Sequence, residues 1–212
     1  MALLPGVRAL MAIIDFAIEH IRAGRPVFPG TPDEKIPAIK NPYDVMTTDE
    51  KQVLRWWKEN PKYNILLPMG VEVTPGKFIG AIDFDVKDGR NGFETADKLE
   101  AIGLYFPETL EQITPNQGAH KIYLFDFPIG NGVNSIGLGI DHRGYRGYIL
   151  SAGSWYHGKE YVYKNRLQIA LAPEWIAAKC KRQGDRKRSS RSAAREADKL
   201  GSLQLAHHLE PG

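Results

Sequence analysis

Apolar residues recur with helical spacing over residues 7–23. Leu10, Ile13, Ile14, Ala17, Ile18 and Ile21 share one face there, and Gly24 supplies a stop. A short strand-like run broken by prolines follows at 25–30, then a loop rich in proline and charge at 31–43. Thr47-Thr-Asp-Glu50 has the form of a capping box. It opens a helix that carries Trp56 and Trp57 and stops at Asn60-Pro61. Adjacent helical residues point about 100° apart, so one tryptophan is expected in the core and the other partly exposed. Asn64–Pro68 and 78–84 are apolar runs of strand length, and 92–102 is an amphipathic helix with Gly103 as its cap. Residues 111–114 and 121–125 read as strands joined by a hairpin-like turn at 115–119. Residues 130–139 read as a glycine-rich loop. Ile140-Asp141 follows, then strands at Tyr148–Leu150 and 161–163, and a helix over 173–182 with proline in its first turn. Helices and strands are mixed, and antiparallel hairpins crowd the second half. That order predicts an α+β fold and not a doubly wound sheet.

Composition sharpens this picture in one respect. The 212 residues carry a net charge of +3, but the charge is uneven. Residues 179–195 hold eight Lys/Arg and one acid, a balance of +7, which leaves −4 for the rest. A mildly acidic body with a basic end points to a polyanionic partner. Residues 179–212 are therefore expected to be a basic tail or linker, helical or disordered. The single cysteine, Cys180, excludes an intramolecular disulfide and a cysteine-rich zinc site, and it fits a reducing cytoplasm. The apolar stretch near the N-terminus is interrupted by Arg8, Asp15, Glu19 and His20. It is too polar to span a bilayer, so no membrane association is expected.

Three motifs carry candidate chemistry. In Ala81-Ile-Asp83-Phe-Asp85 the acids alternate along a strand, so Asp83 and Asp85 project together while Phe84 turns to the core. Paired carboxylates invite a hard divalent cation, Mg2+ or Mn2+. The plain alternative is a strand running into a charged turn, since Lys87, Asp88 and Arg90 follow. In Gly118-Ala-His120-Lys-Ile-Tyr123 a histidine stands where a turn enters a strand. It suits a phosphate oxygen or a metal, or it simply caps the strand. In Gly139-Ile-Asp141-His-Arg143-Gly-Tyr-Arg146-Gly147 an acid precedes two arginines among glycines. Arginine forks and turn amides suit phosphate, and a charged β-turn is the alternative. Lys35, in the proline-rich loop, is a candidate phosphate contact, with a solvated lysine the favoured reading. Together the motifs give three strand-end carboxylates, a turn histidine and a basic loop, the parts that two-metal phosphoryl transfer requires.

In their order these motifs resemble the bifunctional DNA primase/polymerase (prim-pol) family of the archaeo-eukaryotic primase superfamily. The resemblance runs from about residue 16 to 163. It includes Gly24-Arg-Pro-Val-Phe-Pro29, Lys35-Ile-Pro37, Thr47-Thr-Asp49, Trp56-Trp57 and Asn64-Ile-Leu-Leu-Pro-Met-Gly70. It continues through Asp83-Phe-Asp85, Thr109, Thr114-Pro115, the His120 and Asp141 motifs, and Gly147-Tyr-Ile-Leu-Ser-Ala-Gly-Ser154.

The resemblance implies Asp83, Asp85 and Asp141 as catalytic metal ligands, and His120 on the phosphates of an incoming nucleotide. Arg143 and Ser154 become further nucleotide contacts. It implies an RRM-like antiparallel sheet as the catalytic core over about 79–178, with an N-terminal α/β portion over about 1–78. It also implies a template-directed nucleotidyltransferase that makes or extends primers, in the replication of a plasmid, phage or other mobile element. Mg2+ or Mn2+ would be the cofactor, and single-stranded DNA template, primer and NTP or dNTP the partners. A replicative helicase, fused or separate, would be a further partner. A metal-dependent nuclease using the same acids and a non-catalytic nucleic-acid-binding module remain the rival readings. The sequence departs from the family pattern in three ways. Gly118-Ala119 replaces Gly-Gly, no cysteine set serves a zinc stem, and no helicase G-x-x-x-x-G-K-[ST] is present. A stand-alone enzyme or a piece of a longer primase-helicase is therefore expected.

Overall fold

A computed structural model describes residues 12–87 and 89–181. The start of the first expected helix and most of the expected basic tail lie outside these residues. In chain order, the first part comprises α1 (Ile13–Arg22), β1 (Phe28–Gly30), α2 (Pro42–Val45), α3 (Glu50–Glu59), β2 (Asn64–Pro68), β3 (Glu72–Thr74) and β4 (Lys77–Phe84). Next come β5 (Val86–Lys87), β6 (Arg90–Asn91), α4 (Gly92–Glu100), β7 (Glu111–Ile113), β8 (Ala119–Phe125), β9 (Gly132–Gly137) and β10 (Ile140–Arg143). The chain continues with β11 (Tyr148–Leu150), β12 (Trp155–Tyr156), β13 (Lys159–Glu160), β14 (Val162–Tyr163), β15 (Ala170–Leu171) and α5 (Glu174–Cys180).

The larger sheet runs β14-β7-β8-β4-β10-β9, with β3 added on β4 and β15 on β8. Its pairings are antiparallel except β15 on β8. A smaller antiparallel sheet, β1-β2-β11, brings together three segments far apart in the chain. The result is a mixed α/β fold with mostly antiparallel sheets, as the element order predicts.

Strand β4 organises the interior because both of its faces are covered. Ile79 and Ala81 lie on one face with Trp56 and Trp57 of α3, Ala17 and Ile21 of α1, and Ile65 and Leu67 of β2. Ile82 and Phe84 lie on the other, with Ala96 of α4 and Ile176 and Cys180 of α5. A strand buried on both sides reads as a continuous apolar run, which is why this one was visible in the sequence. On the first face the helices and the small sheet cover Ile79 and Ala81. Asp83 continues the same row toward the strand end, beyond that cover.

Some local expectations change. Both tryptophans are buried, at 9% and 3% exposure, because α3 is wedged between α1 and the sheets, and Trp57 donates its indole N–H to the Tyr63 carbonyl. The cap of α3 is Asp49, whose carboxylate accepts from the Lys51 N–H, while the Thr47 hydroxyl accepts from the Asp49 N–H. A four-residue helix, α2, begins inside the expected loop, with Pro42 preset for its first turn. Residues 132–137 form an edge strand, and not a loop. Ile136 is buried in the second core and pairing with β10 satisfies the backbone, while Asn134 at φ 49° absorbs a register shift.

One buried polar node was not foreseen. Arg25 Nε donates to His20 Nδ1 at 2.9 Å, and His20 Nε2 lies 2.6 Å from Ser151 Oγ and 3.1 Å from the Tyr163 hydroxyl. It fastens α1 to the segment after β11. Burial, and then the Arg25 charge, push the His20 pKa well below 6.5. The unfolded chain takes up this proton near about pH 6.5 and the folded chain does not, so stability falls as the pH drops through that value. The thermal midpoint is expected to decline between about pH 7 and 5.5. His20→Gln, which does not titrate, should flatten the decline, and equal slopes for the two proteins would refute the assignment.

Candidate active site

The acids come together through sheet register. Asp83 on β4 stands opposite Asp141 on β10 and, on its other side, opposite His120 on β8. Gln112 on β7 is opposite His120, so Gln112, His120, Asp83 and Asp141 form one row across four strands. Asp85 lies just past the end of β4. Its N–H donates to the Gly139 carbonyl at 2.8 Å, and its carbonyl accepts from the Gly92 N–H at 2.9 Å. That approach requires glycine, because a Cβ on Gly92 would lie 2.4 Å from the Gly139 oxygen. One carboxylate oxygen from each of Asp83, Asp85 and Asp141 lies within 4.8 Å of the other two.

Basic and hydrogen-bonding side chains surround this cluster. Arg143 Nη2 lies 3.1 Å from Asp141 Oδ2 and 3.7 Å from Asp83 Oδ2. His120 Nε2 is 3.4 Å from Asp83 Oδ1, and Lys87 Nζ is 2.9 Å from Asp85 Oδ2. The Asn134 N–H donates to Asp141 Oδ1 at 2.7 Å, and the Asn134 side-chain oxygen accepts from the Gly139 N–H. For Asp83, burial is the largest single influence and pushes its carboxyl up. His120, Arg143 and Lys35 together outweigh it and hold the group below the usual carboxylate range. An all-oxygen set of three carboxylates fits a hard divalent cation better than a soft one.

A cavity of about 400 Å³ opens beside the cluster, bordered by Asp83, His120, Lys35, Arg143, Arg146 and Tyr161 among others. Lys35 is exposed, yet it is not a merely solvated residue. Its ammonium sits 4.3 Å from the centre of the Tyr156 ring, on the cavity rim. Partial burial lowers its pKa, while Asp83 and Asp85 pull it back up. Asn131 shapes the arginine-bearing loop by accepting from the Gly144 N–H and donating to the Tyr145 carbonyl.

Of the residues singled out in the sequence, Asp83, Asp85, Asp141, His120 and Arg143 meet in one place. Ser154 does not meet the cavity. It is fully buried, and its hydroxyl accepts from the Ile65 N–H at 2.9 Å and faces the Ile65 carbonyl at 3.3 Å. It holds its loop on β2, which is a structural task, and it is not placed to touch a nucleotide. Ala119, the departure from the family's second glycine, is accommodated because it lies inside β8 with no positive φ. Gly118 is the strict position, since a Cβ there would lie 2.2 Å from the Phe84 carbonyl oxygen. Gln112, Asn131, Asn134 and Tyr161 were missed. Only fold-level pairing brings them to the site.

Three carboxylates that could hold a cation lie beside a cavity rimmed with Lys and Arg, an arrangement chemically suited to phosphorylated substrates. The family is specific: the sequence model of bifunctional DNA primase/polymerase, N-terminal, matches residues 17–175. The chain belongs to this family, whose activity is DNA primase/polymerase-type nucleotidyl transfer and whose enzymes depend on metal. No curated protein shows significant sequence similarity to the chain. Among the described residues no helix is long and apolar enough to cross a membrane.

Proposed function

We propose that this chain is a template-directed nucleotidyltransferase that makes or extends primers on single-stranded DNA. The observation that carries the reading is the convergence of Asp83, Asp85 and Asp141 beside a cavity rimmed by Lys35, Arg143 and Arg146. The three aspartates would hold Mg2+ or Mn2+. Bound there, the metal would lower the pKa of the attacking 3′-hydroxyl and neutralise charge on the α-phosphate and the leaving pyrophosphate. Lys35, Arg143 and Arg146 would bind the phosphates, with His120 beside them. The larger antiparallel sheet would be the RRM-like core, and residues 1–178 the catalytic domain. Replication of a mobile element, with a helicase as partner, is the proposed setting, and the cytoplasm the proposed compartment.

The test is an unprimed and a primed single-stranded template offered with labelled NTPs or dNTPs, with and without Mg2+ or Mn2+. Metal-dependent and template-dependent incorporation is expected. Degradation of labelled DNA without any triphosphate, and no incorporation with it, would replace this reading by a nuclease using the same acids. DNA binding without turnover or metal dependence would leave only a binding module.

A further inference from the structure

We propose that Gln112 is a positioning residue that locks His120 in the tautomer carrying its proton on Nε2. The histidine then faces the reacting phosphates as a hydrogen-bond donor and not as a metal ligand. The proposal deepens the polymerase reading above and rests on it for the identity of the substrate. The lock itself rests on hydrogen bonding alone.

Gln112 is fully buried, and three partners hold its amide. Its Oε1 accepts from the Ala152 N–H at 2.8 Å. Its Nε2 donates to the Leu150 carbonyl and lies 2.7 Å from His120 Nδ1. The backbone partners fix which end of the amide is which. An N–H faces the oxygen and a carbonyl faces the nitrogen, so a flip would set donor against donor and acceptor against acceptor. The atom presented to His120 is therefore an N–H. His120 Nδ1 must accept it with a lone pair, and the ring proton must reside on Nε2.

Nε2 is the ring atom on the site side, 3.4 Å from Asp83 Oδ1 and on the cavity border. A nitrogen that carries a proton has no lone pair left for a cation. Of the two roles open to this histidine, donor or ligand, the network selects donor. Tyr161, fully buried, covers the ring at 5.8 Å between centroids and limits its rotation. Because Leu150 belongs to β11, Gln112 also links the small sheet to the catalytic row of the large one.

The experiment is nitrogen-detected NMR of the full chain, ¹⁵N-labelled at histidine, in Mg2+. His120→Gln serves to assign the His120 signals. The wild type is expected to show a lone-pair Nδ1 and a protonated Nε2. In Gln112→Glu a carboxylate replaces the donor, so the ring proton should move to Nδ1. The KM for the triphosphate should rise about tenfold or more, with a smaller change in kcat, as for a lost hydrogen bond to a charged group. If the glutamate variant does not fold, Gln112→Met keeps the length without the donor, and the single Nε2–H form should be lost. A wild-type proton on Nδ1, an unmoved proton in the variant that folds, or a moved proton with an unchanged KM would each overturn the proposal. The ring signals do not depend on turnover. An inactive wild type with the expected tautomer would therefore count against the polymerase reading while upholding the Gln112 lock.

Discussion

Asp83→Asn is expected to lower nucleotide incorporation by about a thousandfold or more while the protein stays folded. A bound metal supplies several kcal/mol of charge stabilisation, and each 1.36 kcal/mol is about tenfold in rate. Asp83 stands between His120 and Asp141 in the row and is the acid that faces both His120 and Arg143 as well as its fellow carboxylates. Asparagine keeps its shape and one acceptor oxygen but removes the charge that a cation needs. The stability change has two opposed parts. The surrounding cations favour the ionised carboxylate, as its lowered pKa shows, so neutralising it loses that benefit. Neutralising it also relieves repulsion from Asp85 and Asp141. The thermal midpoint should therefore move by only a few degrees. Steady-state incorporation and a melting curve on the same preparation check both parts. Near-wild-type incorporation at saturating Mg2+ would remove Asp83 from the metal site.

The site was legible in the sequence to the extent that its geometry is local. Two acids with one residue between them on an apolar strand must share a face, and Asp83 and Phe84 follow that rule, with Phe84 buried. Asp141 and His120 have no local relation to Asp83; their own motifs marked them as candidates, and only the resemblance to a family order joined them to Asp83 in one site. Lys35 and Arg146 stand on loops, where no periodicity states which way a side chain turns. Gln112 looks like any polar residue of a strand. Its importance arises from the Leu150 carbonyl of β11 and the Ala152 N–H just after it, both distant in the chain. The small sheet was illegible for the same reason, since β1, β2 and β11 are joined by long separations in the chain and pairing leaves no mark on composition. Strand β9 was hidden by its glycines and by the kink at Asn134, which break the alternation a strand should show. Ser154 shows the reverse error. The family resemblance implied a nucleotide contact for its hydroxyl, and the fold spends that hydroxyl on its own backbone.

The largest loss of stability is expected from Phe84→Ala. Phe84 separates the two acids in sequence and is 1% exposed. Its ring stacks on Phe93 of α4 at 5.5 Å and meets Phe106 edge-on at 5.1 Å, and Phe106 in turn meets Trp175 of α5 at 5.0 Å. Truncating a buried phenylalanine costs about 3–5 kcal/mol, out of a total stability of about 5–15 kcal/mol for a typical domain. Urea unfolding should show a lower midpoint with an unchanged slope. Phe84→Leu refills part of the volume and should lose less. The consequence reaches the site because Asp83 precedes this ring and Asp85 follows it. Phe84 anchors both from the opposite face of the strand, so its cavity frees the segment that sets their spacing. Incorporation should therefore fall in Phe84→Ala even at a temperature where the variant is fully folded. A stability loss below about 1 kcal/mol would mean that the aromatic cluster does not hold the strand end. Full activity in the folded variant would mean that the carboxylates are held by the Gly92–Gly139 approach alone.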